Sequence, residues 1–109
     1  MKPNIQEFQA AVLNALAHPL HLKILEKLRA GPCCVCKIIP EVGEKQSNVS
    51  HHLAIMKKAG ILKTEKTGRE VWYEVSDPRV FEILDILKDY TRTRLLKDEK
   101  RFKRLLKTR

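Results

Sequence analysis

Long apolar runs are missing from this 109-residue chain, so no segment suits a helix that crosses a bilayer. The opening Met1-Lys2-Pro3-Asn4-Ile5-Gln6-Glu7 lacks the apolar stretch of a secretory signal, and a cytoplasmic protein is expected. Cysteine is scarce. The three present, Cys33, Cys34 and Cys36, lie within four residues, and an odd, clustered set is no disulfide framework. Soft-metal binding or thiol redox chemistry suits such a cluster better. Internal repeats and low-complexity linkers are absent, and the length fits about one domain. Also missing are a phosphate-cradling glycine loop, a Ser-His-Asp order and a paired-carboxylate site. Cys33 and Cys36 have Cys-x-x-Cys spacing but no βαβ setting, which leaves a small thiol reductase without support. The chain is expected not to be an enzyme.

Positive charge, by contrast, is abundant. The net charge is +9 and the pI is near 9.7, which suggests a polyanionic partner. Nucleic acid leads, and an anionic membrane surface comes second.

The apolar pattern supplies the architecture. Ile5, Phe8, Val12, Leu13 and Leu16 recur at helical spacing across residues 4–17, which predicts an amphipathic first helix. His18-Pro19 marks a boundary, with Pro19 at a first helical position. Leu20, Ile24, Leu25 and Leu28 form the stripe of a second helix that stops near Gly31-Pro32. A short third helix is expected from about Cys34 to Glu41, with Ile38 and Ile39 facing inward. After the turn Gly43-Glu44-Lys45, residues 46–58 form a fourth helix with Val49, Leu53 and Met56 on one face; Gly60 ends it. The period then changes. Val71, Tyr73 and Val75 alternate with polar neighbours, and Ile61–Glu65 supplies the other strand of a hairpin that turns at Thr67-Gly68. Asp77-Pro78 opens a last helix. Its apolar residues Val80, Phe81, Ile83, Leu84, Ile86, Leu87 and Tyr90 are too many for one stripe, so two buried faces are expected, one of them meeting a second copy. A well-buried terminal helix in a monomer is the alternative.

The fold class is therefore α+β, mostly α: a winged helix-turn-helix with a two-stranded wing and terminal dimerisation helices. Residues 1–91 would form the DNA-binding and dimerisation domain, and residues 92–109 a basic extension. The expected dimer contacts are Phe8, Val12, Val80, Ile83, Leu84, Leu87 and Tyr90. The extension holds nine Lys or Arg against Asp98 and Glu99, and Leu95, Leu96, Phe102, Leu105 and Leu106 keep helical spacing within it. A longer dimer contact, a phosphate contact, a membrane-surface helix and a loosely ordered charged tail all remain open.

The fourth helix carries a second, polar stripe: Ser47, Ser50, His51, Ala54 and Lys58, with Gln46 and Asn48 at its leading end. Small side chains let a helix backbone approach the major groove, where hydroxyls, imidazoles and amides meet base edges or phosphates. A solvated face of any amphipathic helix would look similar. Lys63, Lys66 and Arg69 around the hairpin tip tilt the reading toward DNA, since a basic wing reaches phosphates or the minor groove. A charged edge kept soluble is the plain alternative. The candidate DNA contacts are Gln46, Ser47, Asn48, Ser50, His51, Lys58, Lys66 and Arg69.

Three segments resemble the ArsR/SmtB family of winged-helix repressors: Leu16-Ala17-His18-Pro19-Leu20-His21-Leu22-Lys23-Ile24-Leu25; Ser47-Asn48-Val49-Ser50-His51-His52-Leu53 followed by Lys58-Ala59-Gly60-Ile61-Leu62; and Gly68-Arg69-Glu70-Val71-Trp72-Tyr73. The resemblance spans roughly residues 10–87. It implies a homodimer that binds double-stranded operator DNA without a required cofactor and leaves it when an inducer binds, with no membrane involved. Lys45 stands where many relatives have a capping Ser or Thr. Cys34-Val35-Cys36 resembles the family's Cys-Val-Cys metal box, from which Cys33 and Lys37 depart. The third cysteine of arsenic-sensing relatives falls at Ile39 here, so Cys33 is the candidate third thiolate. A second metal site on the last helix of some relatives has no counterpart, since Asp77-Pro78-Arg79, Tyr90 and Thr93 occupy its positions.

Residues two apart on a helix point about 200° apart, so chelation by Cys34 and Cys36 is expected to distort the start of the third helix. Ion binding would then compete with placement of the reading helix. Thiolates near Lys37 suit As(III) or Sb(III) first, and Cd(II), Pb(II) or Zn(II) next. Cys36 is the cysteine expected to be buried and structural. A redox switch without metal is the main alternative, and simple packing of the thiols is another. His18 and His21, one turn apart, are expected to be solvated or hydrogen-bonded. A protein-interaction module that kept the fold without DNA is the remaining possibility.

Overall fold

The computed structural model describes residue 2 and residues 4–107. The elements run α1 (Ile5–Leu16), α2 (Pro19–Leu28), β1 (Cys33–Cys34), α3 (Val35–Val42), α4 (Gln46–Lys58), β2 (Leu62–Thr67), β3 (Glu70–Val75) and α5 (Arg79–Lys107). Two compact units divide the chain between Asp77 and Pro78. The first holds α1 to α4 and the sheet; the second holds α5.

Periodicity turns directly into burial in the first unit. Ile24 and Leu25 of α2, Ile38 of α3, and Val49, Leu53 and Met56 of α4 all have 0% exposure. They face one another because α2, α3 and α4 pack in mutual contact. Helix ends follow local chemistry. Asn4 caps α1 by accepting from the Glu7 amide at 2.9 Å, and His18 caps α2 by accepting from the Leu20 amide at 3.1 Å, with Pro19 at the first helical position. At the far end of α4, Gly60 takes φ +81°, a conformation that a Cβ would strain. The Ile61 amide then reaches the Met56 carbonyl and the Gly60 amide the Lys57 carbonyl, both at 3.0 Å. This is a Schellman motif closed by the buried pair Ile61 and Met56.

The wing has three strands rather than two, in the order β1-β3-β2. Strands β2 and β3 form the expected hairpin, pairing Leu62 with Val75 through Thr67 with Glu70. Its turn is Gly68-Arg69, with Gly68 at φ +63° and no other residue type at positive φ, as a type II′ turn requires. The added strand is the pair Cys33–Cys34, set against Tyr73 and Trp72. Two residues are too short to leave an alternating signature, so this strand was not visible in the sequence. In consequence, α3 begins at Val35 rather than Cys34, and Ile38 is buried while Ile39 is half-buried.

In the second unit α5 runs for 29 residues, unbroken across positions 91 and 92. Val80 and Leu84, one turn apart, are 8% and 6% exposed. Both belong to the expected dimer contacts, and their i, i+4 spacing puts them on one face of α5. Ile83, Leu87 and Tyr90 are 42%, 46% and 63% exposed. Arg94–Asp98 and Lys103–Glu99 pair at i, i+4 along the basic extension. Among the described residues, no helix is long and apolar enough to cross a membrane.

Leu53→Ala should destabilise the protein by about 2–5 kcal/mol, as expected for truncating a fully buried leucine. Urea unfolding at one fixed protein concentration measures this, and a loss below about 1 kcal/mol would contradict the packing described.

Candidate nucleic-acid interface and thiol cluster

Helix α4 has one buried face and one bare face. With Val49, Leu53 and Met56 turned inward, Gln46, Ser47, Ser50, His51, Ala54 and Lys58 are all exposed. Asn48 is half-buried, and its amide donates to the Glu44 carboxylate at 3.2 Å. It is therefore more constrained than its neighbours. Lys45 stands at the N-cap position without a side-chain cap bond, which leaves the first amides of α4 open to an anion such as a DNA phosphate.

Lys66 and Arg69 lie exposed at the wing tip, and neither has an ion-pair partner among the described residues. Lys63 differs. It lies at the wing's base, paired with Glu74 at 3.0 Å across the hairpin, because the register places these two residues opposite each other. The sequence shows three nearby basic residues, but only the register shows which one is neutralised.

The cysteines occupy the junction between wing and helix-turn-helix. Cys34 has extended backbone, with φ −80° and ψ 161°, at the N-cap of α3. Cys36 lies in the first turn, and the two sulfurs are bonded to each other. The expectation that their side chains diverge by about 200° is thus corrected: the extended residue before the helix brings them together without unwinding α3. Burial is also reversed from the expectation, since Cys34 is 3% exposed and Cys36 is exposed. Cys33 is free and half-buried. Neighbours in a strand point to opposite faces, so Cys33 turns away from Cys34. Lys37 stands over the Trp72 ring at 5.8 Å.

A third group escaped sequence reasoning. His18, His21 and His52 each bring a ring nitrogen within 4.8 Å of the other two. His18 and His21 were visible as a pair one turn apart. His52 also left a signal: with Val49, Leu53 and Met56 it completes an i, i+3, i+4, i+7 row, so it lies at the edge of the buried stripe. His21 Nδ1 is 2.6 Å from the Ala15 carbonyl, and its Nε2 is 2.9 Å from His52 Nδ1.

Comparison with known proteins places this arrangement. Residues 18–64 match the model of the arsR family of bacterial regulatory proteins. Over 82 residues the chain is 44% identical to the HTH-type transcriptional regulator MJ1325 of Methanocaldococcus jannaschii, covering 74% of this chain and 92% of that protein. The chain belongs to the arsR family. It is a DNA-binding transcriptional regulator of the ArsR/SmtB type, not an enzyme. It is also 37% identical over 73 residues to the HTH-type transcriptional repressor SmtB of Mycobacterium tuberculosis, covering 67% of this chain but only 54% of that longer protein. The solution structure of the homodimeric winged helix-turn-helix DNA-binding domain of Mb0332 from Mycobacterium bovis superposes with a TM-score of 0.71 at 25% identity. That alignment covers 78% of this chain and 82% of the other.

Two substitutions should separate base reading from phosphate contact on an operator selected from random duplexes. His51→Ala should lower specific affinity roughly tenfold while leaving non-specific binding nearly unchanged. Lys66→Ala should weaken every duplex and reduce the magnitude of the log–log salt slope by about 1. Wild-type behaviour in both variants would remove these residues from the interface.

Proposed function

We propose that the protein is a homodimeric transcriptional repressor whose hold on its operator is set by the chemistry of the Cys33–Cys34–Cys36 segment. In the inducer reading, the segment captures a thiophilic ion, As(III) or Sb(III) first and a soft divalent cation such as Cd(II), Pb(II) or Zn(II) next. The observation that carries this proposal is the meeting of the Cys34 and Cys36 sulfurs at the point where β1 ends and α3 begins. Once the bond is reduced to two thiolates, sulfurs that can meet in this way would form a chelate for soft ions. Cys33 is the candidate third thiolate, and its recruitment requires the two-residue strand β1 to turn or leave β3.

That requirement supplies the coupling. Strand β1 pairs with β3 of the wing, and α3 leads through Gly43 into α4. A ligand that reorganises residues 33–36 therefore acts on both DNA-facing elements. Couplings of this kind are typically about 1–3 kcal/mol, or roughly 5–150-fold in affinity.

The bond between Cys34 and Cys36 favours a second reading, in which oxidation is the signal. Two thiols lose two protons and two electrons to an oxidant such as a peroxide, and the disulfide locks the β1–α3 junction. Titration of operator binding distinguishes the two readings. Arsenite should release reduced protein, and Cys34→Ser should abolish the response. Release by diamide, reversed by dithiothreitol and unaffected by arsenite, would overturn the ion reading in favour of redox control. If neither reagent changes affinity, the cysteines do not regulate DNA binding.

The dimer assignment rests on apolar surface within each unit. Helix α1 exposes Phe8 at 61% and Val12 at 38%, while α5 exposes Leu87 and Tyr90 at 46% and 63%. Large exposed apolar side chains in rows point to a partner surface, and a second copy matches the homodimeric Mb0332 domain. Phe8→Glu combined with Leu87→Glu should shift sedimentation toward the monomer mass. An unchanged dimer would place the contact elsewhere.

A further inference from the structure

We propose that His18, His21 and His52 form a binding site for one borderline divalent transition cation, such as Zn(II), Co(II) or Ni(II), distinct from the thiol cluster and joining α2 to the reading helix α4. A ring nitrogen from each residue lies within 4.8 Å of the other two. Three nitrogens around a tetrahedral ion at about 2.0–2.1 Å would be roughly 3.3 Å apart, so small side-chain rotations close the site. The residues come from the start of α2 and the middle of α4, which pack in contact. No change of fold is needed.

The hydrogen bonds prepare the ligands. The Ala15 carbonyl only accepts, so at 2.6 Å it fixes the proton on His21 Nδ1. In the neutral ring, Nε2 then carries a lone pair directed toward His52. A backbone carbonyl holding the far nitrogen is the usual outer support of a metal-bound histidine. His52 Nδ1, 2.9 Å away, donates its proton into that lone pair in the absence of metal. A cation entering between them takes both lone pairs, and the His52 proton moves to Nε2. Burial and the neighbouring His18, His21 and His51 hold the His52 pKa below its ordinary value, with Glu44 opposing them. His18 Nδ1 accepts from the Leu20 amide, so its neutral ring carries the proton on Nε2; binding the ion through Nε2 moves that proton to Nδ1 and gives up the cap bond. Ring centroids lie 4.5 to 5.0 Å apart within the trio, so the three rings converge on one point. Solvent would complete the fourth position around the ion.

The test uses protein with Cys33, Cys34 and Cys36 all changed to Ser, so that thiolates do not compete. Titration with Co(II) should give one equivalent per protomer and the intense visible bands of a four-coordinate ion. Asn retains the helix-capping oxygen, so His18→Asn removes the imidazole without removing the cap. This variant and His52→Gln should each weaken Co(II) binding at least tenfold while keeping the circular dichroism of the parent. His51→Gln, a change at the fourth histidine, should keep the bands. Zn(II) at about a hundredfold over its Kd should raise Tm by on the order of 10 °C in the parent and far less in the two variants. Absence of saturable Co(II) binding, or bands that survive both His18→Asn and His52→Gln, overturns the site.

Discussion

The packing of α4 through Val49, Leu53 and Met56 onto Ile24, Leu25 and Ile38 determines what this protein can present to DNA. All six side chains are fully buried, so the helix has one rotational setting about its own axis. A rotation that exposed Leu53 would lose about 1.5–3 kcal/mol of burial from that side chain alone. With the apolar face committed, the opposite stripe has no freedom either. Ser50 and His51 project outward because Val49 and Leu53 project inward. The Schellman closure at Gly60 and Ile61 then leads directly into β2, which starts at Leu62, three residues intervening after α4 ends at Lys58, tying the wing to the same core.

The sequence is legible where structure repeats over several turns or strand pairs. Each of the four helices of the first unit is marked by apolar residues at helical spacing, and the β2–β3 hairpin by alternation around Gly68. Legibility fails where an element is too short to have a period, or where exposure depends on partners distant in sequence. Strand β1 is two residues long and exists only because β3 offers it an edge. Val80 and Leu84 share the spacing of the exposed residues beside them on α5, so no helical pattern could separate buried from exposed positions there. Lys63 seemed equivalent to Lys66 until the register set it opposite Glu74.

The cysteine segment illustrates both cases. Its composition marked it as chemically distinct, yet its geometry depended on one backbone conformation. Had Cys34 been helical, Cys34 and Cys36 would have pointed away from each other, and pairing them would have required unwinding. Because Cys34 is extended at the N-cap, the sulfurs meet while α3 remains intact. The cost of chelation would therefore fall on β1 rather than α3: what must yield is the short ladder to Trp72 and Tyr73, if Cys33 is to join the pair. A two-residue ladder offers few hydrogen bonds to break, and a weakly held strand between wing and helix-turn-helix is well suited to transmit a local chemical change.

Two groups of soft or borderline ligands thus flank the reading helix from different directions. In the proposed readings the cysteines would act through the wing and the first arm, α3, whereas the imidazoles would act on α4 itself, since His52 is part of it and His51 is its exposed neighbour. The donor chemistry separates them. Thiolates favour soft ions and oxidants, while a trio of neutral imidazoles favours borderline divalent cations. Occupying the thiols would disturb a junction. A cation among the histidines would instead strengthen an existing contact, because the three rings already converge across α2 and α4 and need only small rotations to share an ion. The same core that orients the reading helix therefore also brings these rings together, and a ligand at either group would act through that core.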